Sequence, residues 1–361
     1  MRQRRLLPLI GRVEMTRHGA LALVMGITIV ASIGFMATPM PANAFGTIHG
    51  MGQDAEHERI TRAALGCTSD GNPDLCLEDE TLEAVAGTDG EFGAVGAPDR
   101  GRMVFQTSAH CDSADYFDMP SYPQSREAAQ MKLEECRDWM HSNMLAAVEA
   151  AASLLDEDGE IRDSQIPTWI DCVFAGSVPG RAKCNVLQHF GIVLHAAQDF
   201  YSHSNWVDRQ EPDRPLALNN PPGLDHSGPA AWLDLREEQA TFPNGLISGS
   251  AGISSCFDNG GLLSGESCIT QSEEDEEPRV THADLNKDTG RIRHRGRDVG
   301  SGTTPRGAVE ENFERAVAAA IADTLDKLAT LNELLIERYG ETRGRTMICA
   351  ITRDDPEDDC P

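Results

Sequence analysis

The chain has 361 residues, with 31 lysines and arginines against 58 aspartates and glutamates, a formal net charge of −27. That balance excludes a general nucleic-acid coat protein, whose affinity for a polyanion comes from clustered cations. Hydrophobic residues make up 40% of the chain, enough to bury a proper core in one large domain or two smaller ones.

Residues 1–44 read as a secretory signal. Five arginines (Arg2, Arg4, Arg5, Arg12, Arg17) and one acid, Glu14, precede an apolar run from Ala20 to Ala37, and Pro41-Ala42-Asn43-Ala44 has the A-x-A form of a cleavage site. Maturation would begin at Phe45, giving a secreted protein, extracellular or periplasmic. The alternative is an uncleaved anchor, because the 18 apolar residues nearly span a bilayer. Initiation at Met15 would give an ordinary secretory signal. Cleavage leaves 26 basic and 57 acidic residues, a net charge of −31, and only four lysines (Lys132, Lys183, Lys287, Lys327). Such a body has little electrostatic attraction to an anionic membrane. All ten cysteines follow the cleavage point, and an even number in an exported chain argues for disulfides. Four pairs are close in sequence (67/76, 172/184, 256/268, 349/360), and pairing them leaves 111 with 136.

The mature chain, 45–361, reads as mainly helical and as one domain. The first helix spans Asp54 to Leu65, with His57, Ile60 and Ala64 on its apolar face. The second runs from Ser125 to Leu155 and is closed by Asp158-Gly159. The third covers Ala182 to about Trp206. The fourth starts near Thr304-Pro305 and carries a core-facing stripe from Val309 through Phe313, Val317, Ile321 and Leu328 to Leu331. Between Pro212 and Gly302 the composition shifts to Gly, Pro, Asn, Ser and acids, including the run Glu273 to Glu277, so 212–302 reads as a loop-rich excursion with one short helix near Trp232 to Gln239.

The third helix carries the chemistry. His195, Asp199 and His203 recur every four residues in Leu194-His195-Ala196-Ala197-Gln198-Asp199-Phe200-Tyr201-Ser202-His203-Ser204-Asn205-Trp206, which places them within an arc of about 80° on one face. A solvated face recruits Lys, Glu and Arg, yet none occurs from Cys184 to Asp208. Gly191 shares the face and would admit another backbone or a ligand. The trio reads as metal ligands. His57 on the inward side of the first helix, together with Asp99 and the loop His110-Cys111-Asp112-Ser113-Ala114-Asp115, offers donors of the same kind. Imidazole with carboxylate suits zinc. Asp284-Leu285-Asn286-Lys287-Asp288 alternates oxygens like a calcium loop, but its twelfth position is Arg295 rather than Glu, and it reads as a turn. Arg291, Arg293, Arg295 and Arg297 form the one dense cationic run of the body and read as a solvated loop.

The segment from Phe45-Gly46-Thr47-Ile48-His49-Gly50 to Leu65, the His110–Tyr116 stretch, the Leu194–Trp206 motif and Asp284–Asp288 together resemble the secreted bacterial CinY proteins. Those are similar to the HET-C heterokaryon-incompatibility proteins and, more distantly, to zinc-dependent phospholipases C and fungal zinc nucleases. The resemblance implies a helical domain of the zinc phospholipase C type, and two or three zinc ions. One ion would be held by His57 and the free amine of Phe45, another by Asp99, His110 and His195. Asp199 would bridge these two, and His203 would begin a third site. In those enzymes the bridging aspartate and the next histidine are spaced more widely than Asp199 and His203, and their H-x-x-x-E element has no clear counterpart, which leaves Asp208, His226 and His282 as candidates for that site.

The expected function is metal-dependent hydrolysis of a phospholipid or related small phosphoester, with Asp99 and Asp199 in the catalytic centre. A zwitterionic substrate suits the acidic body better than nucleic acid does, and no transmembrane segment would remain after cleavage. Nothing in the sequence points to a protein partner. The alternative, which the HET-C resemblance allows, is a non-catalytic extracellular protein in which the metal is structural.

Overall fold

The computed structural model describes residues 45–50, 53–69, 71–169, 172–174, 180–251, 253–258, 266–270, 278–293 and 298–360, with the backbone alone at 253–258, 266–270 and 298. Residues 1–44, the expected signal segment, lie outside the described residues. The architecture is mainly helical, and the strands among the described residues form four two-stranded antiparallel pairs.

In chain order the described residues begin with the short pair β1 (His49–Gly50) and β2 (Gln53–Asp54), then α1 (Glu56–Leu65) and α2 (Asp79–Ala86). The hairpin β3 (Gly87–Thr88) and β4 (Glu91–Phe92) leads into a 3-10 turn at Ala94–Asp99. Helix α3 (Arg126–Ala151) starts where the Ser125 hydroxyl accepts from the Ala128 amide, satisfying one of the free donors of its first turn. Helix α4 covers Ala182–His203. The hairpin β5 (Ile253–Asp258) and β6 (Glu266–Thr270), the single turn α5 (His282–Leu285) and the pair β7 (Gly290–Arg293) and β8 (Asp298–Gly302) follow. The chain ends in α6 (Asn312–Tyr339), α7 (Glu341–Thr352) and α8 (Pro356–Asp359).

Helix α4 is the axis of the fold, packing on α3, α6 and the Ala94–Asp99 turn. Every residue from Phe190 to Asp208 is buried, so the side of α4 that carries His195, Asp199 and His203 faces protein, not water. Its apolar side chains Val186, Phe190, Val193 and Phe200 join one core cluster with Leu133 and Met140 of α3 and Phe313 and Leu328 of α6. A smaller cluster of Ile247, Val280 and Leu285 sits in the loop-rich region.

Several element boundaries differ from the sequence reading. Helix α4 stops at His203 because the chain turns extended at Ser204. Helix α6 starts at Asn312 because residues 304–311 form turns, with Glu310 and Glu311 in the left-handed region at φ 41° and 65°. The expected short helix near Trp232 is a 3-10 turn, Ala231–Leu233. Helices α2 and α7 carry too few periodic apolar residues to stand out in the sequence, and they form by packing on α1 and α6.

Disulfides join Cys67 to Cys76, Cys111 to Cys136, Cys172 to Cys184 and Cys349 to Cys360, as the spacing predicts. The β5–β6 backbone register sets Cys256 opposite Cys268, whose side chains lie outside the description. Among the described residues no helix is long and apolar enough to cross a membrane.

Candidate metal centre

Five of the expected ligands converge on one buried point. His195 and Asp199 come from successive turns of α4, His57 from the first turn of α1, Asp99 from the end of the 3-10 turn, and His110 from the loop before α3. Gly191 makes the approach possible. A Cβ there would lie 2.4 Å from the Ala94 carbonyl carbon, so only glycine lets the Ala94–Asp99 turn lie against α4. That contact brings both the Val95 carbonyl and the Asp99 carboxylate to His195.

Asp199 stands between the three imidazoles. Its Oδ1 is 3.0 Å from His57 Nε2, and its Oδ2 is 2.8 Å from His110 Nδ1 and 2.9 Å from His195 Nε2. Asp99 Oδ1 is 3.6 Å from His195 Nε2 and 4.0 Å from His110 Nδ1. Ligand atoms around a tetrahedral zinc ion at about 2.0–2.1 Å are roughly 3.3 Å apart, and these separations bracket that value. The two sets His57, His195, Asp199 and Asp99, His110, His195 each offer atoms within 4.8 Å of one another and could hold a metal ion.

Each histidine is oriented by an oxygen that can only accept. His57 Nδ1 donates to the Gln198 side-chain oxygen at 2.7 Å, His195 Nδ1 to the Val95 carbonyl at 2.8 Å, and His110 Nε2 to the Met103 carbonyl at 3.2 Å. The opposite nitrogen of every ring therefore points at the carboxylates, the arrangement that second-shell partners impose on metal-binding imidazoles. Gln198 is itself fixed, its amide nitrogen donating to Thr61 of α1 and Thr324 of α6 at 3.0 Å each.

The electrostatics follow from burial and crowding. Burial opposes charge on Asp199, but His195, His57 and His110 outweigh it and hold the carboxyl well below its ordinary range. Burial likewise opposes charge on His110, and the hydrogen bond to Asp199 with the nearby Asp99 and Asp112 raises it to about 9. His57 is raised by Asp199 against the same burial, whereas burial prevails at His195 and lowers it. Both Asp99 oxygens, Asp199 Oδ1 and His57 Nε2 are buried without an aligned hydrogen-bond partner. Burying such atoms costs free energy unless something coordinates them, and a cation at their centre would do so. No family model matches this chain, and no curated protein or solved structure does.

The remaining expected residues lie elsewhere. Phe45 is fully buried with its ring edge-on to His57, ring centres 6.0 Å apart. His203 belongs to a second group at the end of α4, with Asp112 Oδ1 2.8 Å from its Nδ1 and Asp288 Oδ1 3.2 Å from its Nε2. His282 completes that group, its ring centre 4.2 Å from that of His203, and Asp112, His203 and His282 could also hold a metal ion. Asp208 is not brought into either group. Its oxygens lie 2.9 Å from Lys287 Nζ and 2.8 Å from Arg306 Nε, so two buried cations neutralise it. His226 lies instead against Trp206, ring centres 4.2 Å apart. Asp115 is taken up by Arg279, at 2.7 and 2.9 Å.

Sequence reasoning named Asp112 without giving it a role, and it read the segment around Asp288 as a turn. The structure uses every part of that segment. Asp284 caps α5 with Thr281, buried Lys287 donates to the Ser204 carbonyl at 2.9 Å at the end of α4, and Asp288 faces the two histidines. The alternation of polar residues was the available signal. Arg291 and Arg293 occupy exposed positions of β7, and Arg295 and Arg297 lie outside the described residues.

Proposed function

We propose that this protein is a secreted zinc-dependent phosphodiesterase acting on a phospholipid or related small phosphoester. The observation that carries the reading is Asp199, a buried carboxylate that turns one oxygen to His57 and the other to His110 and His195. A bridging carboxylate of this kind serves two ions. His57, joined by the Phe45 amine after signal cleavage, would hold one, and Asp99, His110 and His195 the other.

Bound zinc would supply Lewis acidity toward a phosphoester oxygen. The chain supplies the rest. The acceptors Gln198, Val95 and Met103 fix each imidazole in its ligating tautomer, and Asp99 and Asp199 contribute two negative charges. Two divalent ions would leave the centre at about +2, a local attraction for a phosphodiester inside a body of net negative charge. Resemblance of the ligand-bearing segments to zinc phospholipases C supports the substrate class.

A second reading, structural metal in a non-catalytic extracellular protein of the HET-C kind, is favoured by the burial of the ligands: His57, His195 and Asp199 are fully inaccessible. The two readings separate on the signal-processed protein assayed with bis(p-nitrophenyl) phosphate and a phosphorylcholine ester. The phosphodiesterase reading predicts bound zinc and turnover that falls by about 100-fold or more in Asp199→Asn, the scale expected on losing a group that orders the catalytic ions. Stoichiometric zinc without turnover of either ester would select the structural reading.

A further inference from the structure

The group at the end of α4 has a geometry of its own. His203, the last residue of α4, is completely buried, and neither of its ring nitrogens has an aligned hydrogen-bond partner. Two other atoms are orphaned beside it, Asp112 Oδ1 and His282 Nδ1. Asp112 Oδ1 lies 2.8 Å from His203 Nδ1 and 3.6 Å from His282 Nδ1. These separations again bracket the roughly 3.3 Å between ligand atoms on a tetrahedral ion.

The far side of both rings is governed by Asp288. Its Oδ2 is 3.1 Å from His282 Nε2 in a hydrogen bond, and its Oδ1 is 3.2 Å from His203 Nε2. Asp288 accepts from His282 Nε2–H and attracts the unaligned Nε2 of His203, which favours the proton on Nε2 of both rings and turns both Nδ1 atoms toward Asp112. The Asn286 side-chain nitrogen also lies 3.2 Å from His282 Nε2, but the carboxylate is the stronger partner and decides the tautomer. Asp288 is held in turn by the Ser202 hydroxyl at 2.5 Å and by Asn286, whose side-chain oxygen accepts from the Asp288 amide at 2.8 Å.

We infer that Asp112 Oδ1, His203 Nδ1 and His282 Nδ1 form a separate mononuclear site for a divalent transition metal such as zinc, with Asp288 as the positioning carboxylate. A site of two imidazoles and one carboxylate supplies three protein ligands and leaves a fourth position for water or a small anionic ligand. Its residues are distinct from those of the Asp199 centre, so it stands whether or not the phosphodiesterase reading does.

The test uses the metal-stripped, signal-processed protein titrated with Zn²⁺ and, for its visible absorption, with Co²⁺. In an Asp199→Asn, His110→Ala double variant, which disables the first centre, about one equivalent should still bind, with the intense d–d absorption of a four-coordinate N/O site. Adding His282→Ala should abolish it. Asp112→Asn, a near-isosteric change, should do the same and keeps the test decisive if the histidine variant fails to fold. Asp288→Asn should retain the equivalent but weaken it about 10–100-fold, the effect of losing an outer-shell partner. Undiminished binding in both Asp112→Asn and His282→Ala would overturn the assignment, as would the absence of any residual equivalent in a folded double variant.

Discussion

Gln198 shows how much of the centre depends on a residue that would never touch a metal. Its side-chain oxygen sets the His57 tautomer, and its amide nitrogen ties α4 to hydroxyls on α1 and α6. Gln198→Leu keeps the volume and removes both functions. Zinc affinity at the His57 position should fall about 10–100-fold by competition with a chromophoric chelator, while the Asp112 site is unaffected. Lys183 poses a different residue-scale problem. It is buried at the start of α4, where burial outweighs the attraction of Asp354, Glu78 and Glu80 and lowers its ammonium group to about 8. The unfolded chain then binds more protons than the folded one between pH 8 and 10.5, so this residue makes stability rise with pH across that window. Relative to Lys183→Met, the wild type should gain up to about 3 kcal/mol from pH 7.5 to 10.5, read from paired denaturation curves. A constant difference would show that Lys183 is charged in the folded state throughout.

At the scale of elements, the centre exists because a 3-10 turn can lie on a helix. Gly191→Val would drive a side chain into Ala94, with even the Cβ only 2.4–2.7 Å from its atoms. The Ala94–Asp99 turn must then retreat, taking the Val95 carbonyl and Asp99 with it. A destabilisation of about 1–3 kcal/mol is expected from overpacking, together with loss of the ion held by Asp99, His110 and His195. Normal stability with weakened zinc binding would separate the two effects. The loop before α3 serves both groups that could hold a metal, since His110 faces one and Asp112 the other, and Cys111 between them is bonded to Cys136 of α3.

Position on or off a helix decided which of these residues were legible in the sequence. The α4 trio stood out because its four-residue spacing marks one helical face and because charged residues of the solvated kind are missing around it. His57, Asp99 and His110 were within reach as matching donors, and resemblance grouped them. His282 was a candidate partner of His203 through resemblance alone, and Asp288 was read as part of a turn; no periodicity relates either to α4, and the tertiary fold is what brings both to His203. Asp208 was a candidate for the third site because the H-x-x-x-E element has no clear counterpart, yet it pairs with Lys287 and Arg306, which lie far away in sequence.

For the whole molecule, formal charge misses what the interior implies. The chain counts −27, and a set of its acids sits buried with histidines rather than in water. Asp99, Asp112 and Asp199 are among them, and cations at the two groups would both offset that charge and tie α1, α4, the His110–Asp112 loop and the 282–288 segment together. Metal removal should therefore loosen the fold as well as the sites, lowering Tm in proportion to the binding free energy that is lost. The most direct measurement is elemental analysis of the protein beginning at Phe45, after zinc loading and exhaustive dialysis. About three zinc ions per chain are expected, two at the Asp199 centre and one at Asp112, His203 and His282. A folded protein that retains no zinc would contradict it.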